Sequence, residues 1–134
     1  MSEKGPSEPS SLFPIRVLLA DDSEIMRGTI RRFLNEEPRI EIVGEASNFG
    51  ETIQKTEELK PHLVLLDVHM RDESKFAPDF IRSKLQGAAG CVLAISLMMD
   101  EETVKLSSSY GAYKLLDKAK LVEELVPTIQ KLCG

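Results

Sequence analysis

Cysteine and histidine are scarce in this 134-residue chain, with two of each. Two thiols, Cys91 and Cys133, make no disulfide framework and fit a reducing compartment. Cys91 stands in an apolar run and reads as a small core residue, whereas Cys133 lies in an end expected to fray. His62 and His69 lack metal-ligand spacing, so a zinc site has no support. No apolar run approaches the roughly 18–20 residues that cross a bilayer. The first residues, Met1 to Ser11, lack the apolar stretch of a signal peptide. Basic residues do not predominate either. Against 22 Asp and Glu stand 17 Lys and Arg, a net charge of −5, which offers no basic face for direct DNA binding. These absences lead to a cytoplasmic protein with neither membrane nor nucleic acid as an expected partner.

A hydrophobic content of 42% with 29% charged residues is that of an ordinary globular chain, and the length suits one domain with a real core. Residues 1–13, rich in Ser, Glu and Pro, read as a disordered tail. Beyond them the pattern alternates. Aliphatic runs at Ile15–Ala20, Ile40–Gly44, Leu63–Leu66, Cys91–Ile95 and Ala112–Leu116 predict five strands. Between them lie helical repeats. Met26, Ile30, Phe33 and Leu34 mark the first, after Ser23 as its cap; Phe49, Ile53 and Thr56 mark the second. Phe76, Phe80 and Leu85 mark the third, and Asp100 caps the fourth, which closes before Gly111. Leu121, Leu125, Ile129 and Leu132 share a face of the fifth, where Pro127 predicts a bend or a late start. Strict alternation of five strands and five helices predicts an α/β domain, a parallel sheet covered on both faces.

Carboxylates fall at informative places in this pattern. Asp21 and Asp22 follow the first strand, and Asp67 ends the third. Ionised carboxylates are costly to desolvate alone, so three at the carboxyl ends of adjacent strands point to a cation, and oxygen ligands of this kind suit Mg²⁺. Ser96 ends the fourth strand and Lys118 follows the fifth, on the same rim where ligands of such sheets collect. Together these groups can move a phosphoryl group onto a side chain, with a carboxylate as nucleophile.

The motifs Leu18-Leu19-Ala20-Asp21-Asp22-Ser23, Leu65-Leu66-Asp67-Val68-His69-Met70, Ala94-Ile95-Ser96 and Gly111-Ala112 with Leu116-Asp117-Lys118 resemble the receiver domains of two-component response regulators. The likeness covers residues 14–132, and it is greatest to receivers that stand in front of helix-turn-helix output domains. It rests on joint spacing: Asp67 lies 45 residues after Asp22, Ser96 a further 29, and Lys118 51 after Asp67. The resemblance implies a flavodoxin-like fold with strand order 2-1-3-4-5. It implies that Asp67 is the phosphoacceptor and that Mg²⁺, with Mn²⁺ as a substitute, is held by Asp22, Asp67 and the His69 carbonyl, with Asp21 acting through a bound water. Lys118 would pair with the phosphoryl oxygens and Ser96 would hydrogen-bond to them. The implied partners are a sensor histidine kinase or phosphotransfer protein, and a second copy through the face formed by the fourth helix, fifth strand and fifth helix. The domain would catalyse its own phosphorylation and dephosphorylation. With only Cys133 and Gly134 after the last helical apolar residue, the expectation is a chain without an output domain.

Three departures from the family pattern stand out. Leu115 occupies the position of the usual switch aromatic, three residues before the lysine. The loop after Met70 reads Arg71-Asp72-Glu73-Ser74-Lys75 in place of a Pro and Gly turn, so the third helix is expected to start late and be short. Ala119 stands where relatives carry a proline. These leave room for a phosphate-independent interaction module. A phosphatase with an aspartyl nucleophile ranks last, because His69 stands where that class has a second Asp. His69 itself reads as a solvent-facing loop residue whose backbone matters more than its ring, and His62 as structural or exposed.

Overall fold

The computed structural model describes residues 14–133, and the expected tail at 1–13 lies outside them. Five strands form, β1 (Ile15–Ala20), β2 (Ile40–Ala46), β3 (Leu63–Asp67), β4 (Cys91–Ser96) and β5 (Leu115–Asp117). They alternate with α1 (Glu24–Leu34), α2 (Phe49–Leu59), α3 (Pro78–Gln86), α4 (Glu101–Ser109) and α5 (Leu121–Cys133). The sheet is wholly parallel in the order β2-β1-β3-β4-β5. The central strands are buried almost throughout because helices cover both faces, which is why they read as unbroken aliphatic runs.

Alternate residues of those strands feed two cores. Val17, Leu19, Leu63, Leu65, Leu93 and Ile95 pack with Ile30 and Leu34 of α1 and with Leu121, Leu125 and Ile129 of α5. Leu18, Ala20, Val64, Leu66, Val92 and Ala94 meet Phe49 of α2, Ile81 and Leu85 of α3, and Tyr110 at the end of α4. The sheet register pairs Ala20 with Leu66, Asp67 with Ile95, and Ser96 with Asp117. The strand ends therefore share one rim.

Local chemistry fixes the helix ends. Ser23 Oγ accepts the Met26 N–H at 3.1 Å, and Asn48 Oδ1 accepts that of Glu51 at 2.7 Å. A second cap on α2 comes from far along the chain: the Asp72 carboxylate accepts the N–H groups of Phe49 and Gly50 at 2.8 and 3.1 Å. Lys60, at φ 46°, ends α2 in the left-handed region. The Arg16 guanidinium takes the carbonyls of Leu59 and Lys60. His62 Nδ1 accepts the Arg16 N–H at 2.9 Å, so this exposed histidine is structural. Gly111, at φ 85°, makes the turn out of α4.

Several sequence expectations need correction. The fifth strand starts at Leu115 rather than Ala112 and has three residues, because Gly111 to Lys114 are spent on the turn. Phe80 is exposed and stacks on Phe76, and Ile81 takes the core position. The last helix begins at Leu121 and runs through Pro127, which excludes a late start. The third helix is short and late as expected, after a 3₁₀ turn at Glu73–Lys75. No cis peptide occurs among the described residues, so the Lys118–Ala119 bond is trans, and Lys118–Lys120 forms a 3₁₀ turn.

Asp72 ties the loop after β3 to the positive end of α2. Asp72→Ala is expected to lower stability in urea denaturation by about 1–2 kcal/mol, with Asp72→Asn losing less. Unchanged stability in the alanine variant would contradict this role.

Candidate metal and phosphoryl site

β1 ends at Ala20 and delivers Asp21, wholly buried, to the rim. Its Oδ1 accepts the Ser23 N–H at 2.8 Å, and its carbonyl accepts a proton of Arg27 at 2.6 Å. Its Oδ2 lies 2.8 Å from Lys118 Nζ, but the approach is too oblique for a hydrogen bond, so charge alone holds that oxygen. Asp22 is half-buried, and its carbonyl is reached by Arg71 at 3.4 Å. Asp67 closes β3, is 3% exposed, and places Oδ1 3.4 Å from Lys118 Nζ. The His69 N–H points at the same oxygen from 3.4 Å. One carboxylate oxygen each from Asp21, Asp22 and Asp67 falls within a 4.8 Å span. The structure thus gathers three of the sequence candidates and sets the buried Lys118 among them.

Three carboxylates face one ammonium, and the balance shows at Asp67. Burial is the largest influence on its carboxyl, with the neighbouring charge of Asp21 next; the Lys118 ammonium opposes both and is outweighed. Its pKa rises from the ordinary 3.8 to about 7. Lys118 does favour the ionised carboxylate, but burial and the neighbouring acids outweigh it, so at neutral pH the carboxyl is partly protonated. The residues fit a divalent cation well. The donors are all oxygen, one buried oxygen has no hydrogen bond, and a second positive charge is needed to ionise Asp67. Such a set suits Mg²⁺ or Mn²⁺.

Ser96 is buried at the end of β4, and its Oγ accepts the Met98 N–H at 3.0 Å. That bond uses a lone pair and leaves the hydroxyl proton to donate elsewhere. It also anchors the segment carrying Leu97, Met98 and Met99, all exposed. Leu115 is half-buried against the core beneath α2 to α4, while Tyr113 is exposed just before β5. Tyr110 is buried beside Phe49 with ring centres 5.2 Å apart, and burial pushes its phenol up to about 12.

The ring of His69 is not simply turned to solvent. Nδ1 lies 3.2 Å from Glu73 Oε1, and Nε2 lies 3.2 Å from Oγ1 of the buried Thr103 in α4. Sequence reasoning missed Glu73 and Thr103. The i, i+4 spacing of His69 and Glu73 was a usable signal, but nothing in the chain marks Thr103.

Comparison with known proteins agrees with this geometry. Residues 17–130 match the family model described as the response regulator receiver domain. A protein-glutamate methylesterase/protein-glutamine glutaminase of Geobacter sulfurreducens is 33% identical over 118 residues, covering 87% of this chain and 31% of that protein. The nitrate/nitrite response regulator NarL of Escherichia coli is 31% identical over 119 residues, covering 88% of this chain and 54% of its own length. The chain thus spans about half or less of these relatives. Among solved structures, a LuxR-family two-component response regulator from Aurantimonas superposes with a TM-score of 0.76 at 26% identity, covering 89% of this chain and 84% of that one. The receiver domain of a NarL regulator from Mycobacterium tuberculosis gives 0.78 at 22% identity, over 90% and 96%, a likeness of fold. With the sheet order, the acidic rim and the family match in agreement, this chain belongs to the response regulator receiver domains of two-component systems.

Proposed function

We propose that residues 14–132 act as a phosphorylation-dependent switch, with Asp67 accepting a phosphoryl group from a histidine kinase or phosphotransfer protein. The observation that carries this reading is the buried Asp67 carboxylate gathered with the Lys118 ammonium and the acidic pair. Asp22 and Asp67 through their carboxylates, the His69 carbonyl, and Asp21 through a water would hold Mg²⁺, which supplies charge neutralisation for the transferred oxygens. An Asp67 oxygen bonds to phosphorus as the phosphorus–nitrogen bond of the donor histidine breaks, and the leaving nitrogen keeps the electron pair. Lys118, already 3.4 Å from Asp67 Oδ1, pairs with one phosphoryl oxygen. The free proton of Ser96 serves another. Because Ser96 Oγ also holds the Met98 N–H, a change at the acceptor reaches the exposed Leu97–Met99 segment and α4 directly behind it. Exposed Val104 and Tyr113 support the face of α4, β5 and α5 as the surface that a second copy or another partner reads.

Incubation with acetyl phosphate and Mg²⁺ is expected to add one phosphoryl group in intact-mass measurements, and Asp67→Asn should abolish the addition. A variant labelled as fully as the parent would remove the assignment. An unlabelled parent that still binds Mg²⁺ would favour a phosphate-independent interaction module.

A second expectation follows from the raised pKa of Asp67. The folded state holds this proton up to about pH 7, whereas the unfolded chain releases it near 4. The native state thus binds more protons within that window, and stability of the metal-free protein falls as pH rises through it, by up to a few kcal/mol. Asp67→Asn should flatten this part of the pH–stability curve and melt higher than the parent at pH 8. Parallel curves for the two proteins would contradict the electrostatic account.

A further inference from the structure

The two cysteines, 42 positions apart in the chain, meet at the rim opposite the carboxylate site. Cys91 opens β4 and Cys133 closes α5. Their sulfurs lie 3.7 Å apart, both half-buried against the core beneath α1 and α5. The sequence expectation of one core thiol and one frayed thiol is therefore replaced by a thiol pair. The two thiols share a hydrogen bond in which either sulfur can donate. Only the thiolate is a competent nucleophile, so whichever of the two ionises attacks first and the other resolves.

We infer that Cys91 and Cys133 form a reversible thiol–disulfide modification site, oxidised by a low-molecular-weight disulfide such as glutathione disulfide. One of the two, as its thiolate, attacks one sulfur of the small disulfide and expels its partner as a thiolate, leaving a mixed disulfide on that cysteine. The other gives its proton to that departing thiolate or to solvent, attacks the first cysteine's Sγ and expels the second small thiol. Two protein thiols are oxidised and one small disulfide is reduced to two thiols. The sulfurs must close from 3.7 Å to about 2.0 Å. Cys133 ends its helix, so its side chain and last turn can make that approach without moving the sheet. Because α5 packs through Leu121, Leu125 and Ile129 on the same core, the bond clamps its far end to β4. The closed loop contains α4, β5 and α5, the elements of the proposed partner face.

The test is exposure of the full chain to glutathione disulfide at pH 8, read by intact mass after acid quench without reductant. The expected product has lost two hydrogens, keeps no glutathione, and yields one peptide pair joining Cys91 to Cys133. Its melting temperature should rise by several degrees and return on reduction. Cys91→Ser should instead retain one glutathione on Cys133. Cys133→Ser should likewise retain one glutathione on Cys91. Two persistent free thiols, stable glutathione adducts on the parent, or disulfides only between molecules would each overturn the inference.

Discussion

Everything at the working rim depends on an unbalanced set of charges. Asp21, Asp22 and Asp67 converge at the ends of β1 and β3, and the described residues answer them at close range with one ammonium, Lys118. In a buried setting such an excess is expensive. Burial, reinforced by this imbalance, holds Asp67 protonated to about neutrality, and the excess of negative charge suits a divalent cation. The same feature explains why the site is poised rather than committed. Without added positive charge the Asp67 carboxyl is partly protonated.

The fold exists around that cost. Two aliphatic cores of ordinary composition, one on each side of the sheet, supply the burial that makes a strained polar rim tolerable. Register does the positioning. With Asp67 beside Ile95, and Ser96 beside Asp117, the Asp67 carboxyl, the Ser96 hydroxyl and Lys118 arrive on one rim without a long-range loop. Asp72 then secures the loop behind the acceptor to α2, and the His69 ring bridges that loop to α4 through Thr103. These contacts are direct hydrogen bonds between distant parts of the chain, so a change of charge at Asp67 has short routes to two helices.

Much of this was legible in the chain. The aliphatic runs gave the strand positions of the central sheet because burial on both faces leaves no polar interruptions. Ser23 and the helical spacing of Ile30 and Leu34 placed α1, and the spacing of Asp22, Asp67 and Lys118 placed the site. The failures have physical reasons. β5 is an edge strand of three residues whose turn borrows the apolar Ala112 and Tyr113, so the run looked like a strand too early. Phe80 and Ile81 are adjacent, and only the helix phase set by the loop at 71–77 decides which one faces inward. The meeting of Cys91 with Cys133, and of His69 with Thr103, depends on tertiary approach that no local pattern encodes. The acidity of Asp67 likewise depends on depth of burial, which outweighs the lysine that the sequence made visible.

The central claim is that a divalent cation completes this charge set and ionises Asp67. Calorimetric titration of Mg²⁺ at pH 6.5, in buffers of different protonation enthalpy, measures the protons released on binding most directly. The account predicts binding with release of a substantial fraction of one proton, a release that disappears in Asp67→Asn. Binding without proton release in the parent, or equal release from the variant, would contradict it.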